Sequence, residues 1–174
     1  MTTGIIRRID ELGRIVIPKE IRTNLRIRSG DNLEILVEND SLLLRKYSHI
    51  EDITDIVTNY AEAFYQVLKY NIIITDTDRV VAVAGNLKNK YINHEISDVI
   101  STMINRRDAT TSRKKDILEI SPGMVEEGYY SIAVIINNGD SIGSVIILSE
   151  NSPMLEQESK LAMILANILS NYFI

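Results

Sequence analysis

The sequence predicts two different folds in one chain: an all-β head with one short helix, and an α+β body reached through a long helix. Three observations predict this. Residues 1–47 read strand, strand, short helix, strand, strand, punctuated by turn residues. Residues 71–174 read hairpin, helix, strand, hairpin, helix, the pattern of an antiparallel sheet covered by helices. Charge is also divided. Residues 4–31 hold seven basic and four acidic side chains, a net +3, in a chain whose formal net charge is −5. A basic head on an acidic body suggests a polyanionic partner.

In the head, Ile5, Ile6 and Ile9 make a short strand pattern with Arg7 and Arg8 between them. Neighbouring arginines in a strand point to opposite faces. Residues 10–13, Asp-Glu-Leu-Gly, are a turn in which Gly13 supplies a positive φ. Residues 14–17 form the second strand, and Pro18 suits the first position of a short helix. Glu20 sits where the helix dipole favours an acid. Ile21 and Leu25 share a face, which leaves Arg22 pointing elsewhere. After the Ser29-Gly30-Asp31 turn, Leu33, Ile35 and Val37 alternate with Glu34 and Glu38. Asn39-Asp40 turns the chain into a last strand over residues 42–45. A unit this small is marginal without disulfides or metal. Two copies sharing one core is the expected solution, and twofold pairing also suits symmetric DNA.

The string Arg-Arg-x-Asp-Glu-Leu-Gly-Arg-Ile-Val-Ile-Pro-Lys-Glu-Ile-Arg, over residues 7–22, resembles the AbrB family of DNA-binding transition-state regulators, and the likeness extends over residues 3–47. The resemblance implies a swapped-hairpin β-barrel that is a homodimer and binds double-stranded DNA. It assigns DNA contact to Arg7, Arg14 and Arg22, with Arg8 close behind. The chain departs from the pattern at Thr23-Asn24, where many relatives have Arg-Thr. One basic contact is thereby lost, for which Lys19 and Arg26 are the candidate replacements.

Residues 48–70 read as a connecting helix. Ser48 is a candidate cap with Glu51 three residues on, and Ile53, Ile56, Val57, Tyr60 and Phe64 recur at helical spacing. In the body, residues 72–75 and 80–84 form a hairpin, residues 95–105 a helix, 117–120 a strand, 130–136 and 142–148 a hairpin across Asn137-Asn138-Gly139-Asp140, and 155–173 a helix. The strings Asn-Ile-Ile-Ile-Thr-Asp-Thr-Asp at 71–78 and Gly-x-Val-Ile-Ile-Leu-Ser at 143–149 resemble a GAF domain, a fold used to sense small molecules. That likeness implies assembly and an unidentified small-molecule ligand. Its pocket would lie between the sheet and the loops 85–92 and 104–119. The order of head, helix and body resembles sporulation regulators of spore-forming bacteria, which implies a homotetramer that activates or represses genes.

Catalysis finds no support. The chain has no cysteine, which excludes disulfides, thiolate metal sites and thiol nucleophiles. His49 and His94 have no partner at ligand spacing. Asp76 and Asp78 fall on a turn, where Asp is favoured locally. Glu126-Glu127 beside Gly128 reads as an acidic loop, and the basic run 112–115 as a solvated one. There is no phosphate-cradling glycine loop and no serine elbow. The expectation is a protein without catalytic residues, metal or cofactor. No apolar run approaches the roughly 20 residues of a membrane span. No signal peptide is read at the N-terminus, so the expected location is cytoplasmic, at the nucleoid. The alternative is an antitoxin-like module that acts mainly through a protein partner. The folded body counts against it.

Overall fold

A computed structural model describes residues 4–173. Met1, Thr2, Thr3 and Ile174, at the outer ends of the first and last expected segments, lie outside the described residues. The chain forms two compact units, divided between Tyr47 and Ser48.

In the first unit, helix α1 (Lys19–Asn24) follows Pro18. It closes with Arg26 at φ 52°, where the Ile27 N–H returns to the Arg22 carbonyl at 2.7 Å. Strands β1 (Leu33–Glu38) and β2 (Ser41–Lys46) pair antiparallel, with Ile35 opposite Leu44 and Val37 opposite Leu42. Asn39 and Asp40 both have positive φ, as a two-residue turn matched to strand twist requires. The strands expected over residues 5–9 and 14–17 are absent. The Asp10 N–H meets the Arg14 carbonyl at 3.1 Å, but beyond that turn the arms form no ladder. Two extended arms without an apolar surface beneath them cannot hold a sheet. Here Ile6 is 93% and Val16 75% exposed. Among the described residues of this unit, Pro18 alone is buried.

The second unit opens with two helices where one was expected: α2 (His49–Asp52) and α3 (Thr54–Leu68), interrupted at Ile53. The Thr54 hydroxyl donates to the Glu51 carbonyl at 2.6 Å, taking the acceptor that a continuous helix would offer to Asp55. Then follow β3 (Asn71–Thr75), β4 (Val80–Ala84), α4 (Lys88–Tyr91), α5 (Asp98–Arg106), β5 (Thr110–Thr111), β6 (Asp116–Ser121), β7 (Met124–Asn137), β8 (Asp140–Ser149) and α6 (Glu156–Ser170). The strands are ordered β4-β3-β8-β7-β5, and β6 pairs with the first part of β7. All pairs are antiparallel.

The sheet is apolar on both faces, so each strand side feeds a separate core. Ile72, Ile74, Val145 and Ile147 face α3 and α6. Ile73, Ile146 and Leu148 pack with Tyr91, Ile96, Ile100, Leu118 and Ile120. This explains why β3 reads as an unbroken apolar run rather than an alternating one. At Gly143 on β8, a Cβ would stand 2.0 Å from the Thr75 carbonyl oxygen, so only glycine lets the two strands approach.

Candidate nucleic-acid interface

The six basic residues expected to meet DNA all lie in the first unit, at or near its surface. Arg14 is the best defined. The Asp10 carboxylate accepts from the backbone N–H of Leu12 at 3.0 Å and of Arg14 at 2.8 Å through Oδ1. Through Oδ2 it accepts from Arg14 Nε at 2.8 Å. Gly13, at φ 76°, lets the chain reverse beneath these bonds. The Arg14 N–H and guanidinium hold the Asp10 carboxyl below the usual carboxylate range. The Arg14 side chain remains 73% exposed. One of its five N–H donors is used at Asp10, and a fork aimed from a fixed Nε remains.

Arg7 and Arg8 are exposed on the arm before this turn, with Arg7 Nη1 bonded only to its neighbour's carbonyl, that of Ile6, at 3.3 Å. Lys19 and Arg22 are three apart on α1 and therefore adjacent on its surface, and both are exposed. Arg26 is half-buried in the left-handed turn after α1. On the second hairpin, Arg45 engages Glu34 at 2.5 Å and Lys46 engages Asp31 at 3.1 Å. Acids of the unit are thus drawn to that hairpin.

The role of Asp10 as the clamp on Arg14 escaped the sequence reading. Its signal was an Asp three residues before a glycine. Glu126 was misread as part of a loop. It lies in β7, where its carboxylate accepts from the buried Tyr91 hydroxyl at 2.6 Å and pairs with Lys90 at 2.5 Å. Burial, and then the Glu126 carboxylate, push the Tyr91 phenol well above its ordinary range. Between the sheet and the segments 85–92 and 104–119, where a ligand pocket was expected, Leu87, Tyr91, Ile104 and Leu118 pack in one core with Ile73 and Ile146. An open cleft of about 390 Å³ lies elsewhere, between the end of α3, the start of β3 and the end of β8, lined by Tyr65, Lys69, Asn71, Asn86 and Glu150 among others. None of the described acidic, histidine or cysteine side chains cluster as a metal site would require. No described helix is long and apolar enough to cross a membrane.

Comparison with known proteins places both units. Residues 52–173 match the family model "Stage V sporulation protein T C-terminal, transcription factor". Residues 6–52 match "Antidote-toxin recognition MazE, bacterial antitoxin". The chain is 41% identical over 170 residues to stage V sporulation protein T of Bacillus subtilis, covering 97% of this chain and 96% of that one. It is 52% identical over 46 residues to the transition state regulatory protein AbrB of the same organism, covering 26% of this chain and 48% of AbrB. Among solved structures it is similar to the GAF domain of a phosphoenolpyruvate-protein phosphotransferase from Coxiella burnetii, with a TM-score of 0.57 and 12% identity, covering 89% of each chain. Identity that low bears on the fold alone.

Proposed function

This chain belongs to the stage V sporulation protein T family, it is a sporulation transcription regulator, and we propose that it holds DNA through paired heads whose arginines grip phosphates. The observation that carries the reading is the face of the β1–β2 hairpin. Ile35, Val37, Leu42 and Leu44 lie on one side of it and are 63%, 77%, 71% and 37% exposed. A continuous apolar face left this exposed among the described residues marks a surface that another chain covers. Two heads paired there complete each other's sheets, give the arms over residues 5–9 and 14–17 the partners they lack, and present two sets of Arg7, Arg14 and Arg22. Arg8, Lys19 and Arg26 add charge beside them. Association of two such dimers gives the tetramer that the order of units implies, acting in the cytoplasm at the nucleoid.

If three arginines per chain each neutralise one phosphate, a dimer makes about six contacts and log Kd against log salt has a slope of about 5. Fluorescence anisotropy on genomic DNA fragments across a salt series measures it. A slope near zero, or full binding by the Arg7→Ala/Arg14→Ala/Arg22→Ala variant, refutes the assignment. The match of the head to an antitoxin model supports a second reading, in which a protein partner is the main target. Affinity capture of such a partner by a body lacking the head would favour it. A thermal-shift screen tests the body for a ligand, since binding to the native state alone raises stability.

A further inference from the structure

The body is acidic, with ten cations against seventeen acids in residues 48–174, yet five of those ten cations fall within residues 106–115. They are Arg106, Arg107, Arg113, Lys114 and Lys115. Counting Asp108 and Asp116, residues 106–116 carry +3, a higher density than the head, where 28 residues carry the same charge. The rest of the body carries −10. In the sequence only the run 112–115 stood out, and it read as a solvated loop.

The fold gives this segment a mount. The Ser97 N–H and hydroxyl bond to the Ile120 and Glu119 carbonyls at 2.8 and 2.6 Å, pinning the start of α5 beside the end of β6. The segment leaves α5 at Arg107, whose left-handed conformation caps the helix while its guanidinium donates to the Gly139 carbonyl in the β7–β8 turn. It then joins the sheet edge as β5, with Thr110 opposite Ile132 and Thr111 opposite Ser131. The Thr111 and Ser131 hydroxyls bond at 3.0 Å, and the Ser112 N–H reaches the Tyr130 carbonyl at 2.8 Å. Lys115 lies 3.8 Å from Glu127. Arg106, Arg113 and Lys114 are exposed and have no acidic partner among the described residues. Three uncompensated cations thus flank β5, Arg106 in the last turn of α5 and Arg113 and Lys114 in the bend that leads into β6.

We infer that the α5–β6 segment is a second phosphate-binding surface, which holds the backbone of duplex DNA outside the site that the heads grip. The inference rests on the proposed function of the head. A duplex already held there meets the segment at high effective concentration, so weak phosphate contacts suffice. Exposed arginine and lysine side chains are the usual charged donors to phosphate oxygens.

The test is anisotropy with the full chain and a fluorescein-labelled, random-sequence 60-base-pair duplex across a salt series. The variant is Arg106→Gln/Arg113→Gln/Lys114→Gln. A control, Lys69→Gln/Lys88→Gln/Lys160→Gln, removes three charges elsewhere on the body. Each lost phosphate contact flattens the salt slope by about 0.9, so the variant is expected to lose up to about 3 per bound chain and at least tenfold in affinity. The control stays within twofold. An unchanged slope in the variant, or an equal loss in the control, overturns the inference. Unchanged DNA binding together with lost binding to an acidic protein would mark a protein contact instead, and also overturns it. If the head variant Arg7→Ala/Arg14→Ala/Arg22→Ala binds normally while the α5–β6 variant does not, the head assignment fails and the second surface stands. Failure of the unaltered protein to bind duplex overturns both.

Discussion

Replacing Asp76 by alanine is expected to cost the body about 2–4 kcal/mol. The side chain is 4% exposed and accepts three hydrogen bonds. Oδ1 takes the Asp78 and Arg79 N–H groups at 2.6 and 2.7 Å, and Oδ2 takes the Ser48 hydroxyl at 2.8 Å. A hydrogen bond to a charged group contributes about 1.5–3 kcal/mol, but the turn amides are near water and recover part of that loss. Asp76→Asn keeps an acceptor for both amides and is expected to cost about 1 kcal/mol. Ser48→Ala removes both a partner of Asp76 and the cap on the Glu51 N–H, for about 1–2 kcal/mol. Urea unfolding followed by tyrosine fluorescence measures these values, because seven of the eight tyrosines lie in the body. The m-value should not change. The Ser48→Ala/Asp76→Ala double variant should cost less than the sum of the two, since they share one bond. If alanine at position 76 proves no worse than asparagine, these bonds do not hold the turn and the reasoning fails.

Gly143→Ala places a Cβ 2.0 Å from the Thr75 carbonyl at the centre of the sheet, so a loss above about 3 kcal/mol is expected; a melt within a few degrees of the parent would contradict it. The Asp10 carboxyl, followed by carbon NMR, should titrate below the usual carboxylate range and return toward it in Arg14→Ala. Because its pKa is depressed, the clamp is fully formed above the ordinary carboxylate value and is lost as pH falls through the lowered one. Titration at the ordinary value would mean that no clamp exists in solution. Val37→Asp, on the exposed face of the head hairpin, should halve the species that the heads pair into, read by sedimentation, while the tyrosine signal of the body stays unchanged. An unaltered mass removes that face from the interface.

What could be read in the sequence was what depends on near neighbours. The Ser48 cap, the Asn39-Asp40 turn, Pro18 before α1 and the turn ahead of β8 each involve residues within a few positions. What escaped depends on distant ones. Glu126 beside Gly128 looked like loop because its partner, the Tyr91 hydroxyl, is 35 residues away. Gly128 itself is there for a close approach, since a Cβ would stand 2.5 Å from the Ser149 carbonyl. The charge of residues 106–115 is local and could be counted in the sequence, but its mount could not, since β5 pairs with distant β7 and the Ser97 N–H bonds the end of β6. Among the candidate DNA contacts, residue types were legible from the motif, whereas the hold of Asp10 on Arg14 needed the folded turn.

The two units differ in a way that separates their thermodynamics. The body closes two apolar cores of its own, with Ile72, Ile73, Val145 and Ile146 fully buried. The head closes none, and leaves Ile6, Val16, Val37 and Leu42 each more than 70% exposed. A head that completes its core by pairing takes its stability from protomer concentration, since partner binding adds free energy by mass action. A body with its own cores does not. Dilution should therefore loosen the heads, and DNA binding with them, while the tyrosine-reported melt of the body stays fixed. Were bodies also to associate, they would work against that dilution by keeping heads near one another, and assembly through the body would then aid DNA binding without any contact to the duplex.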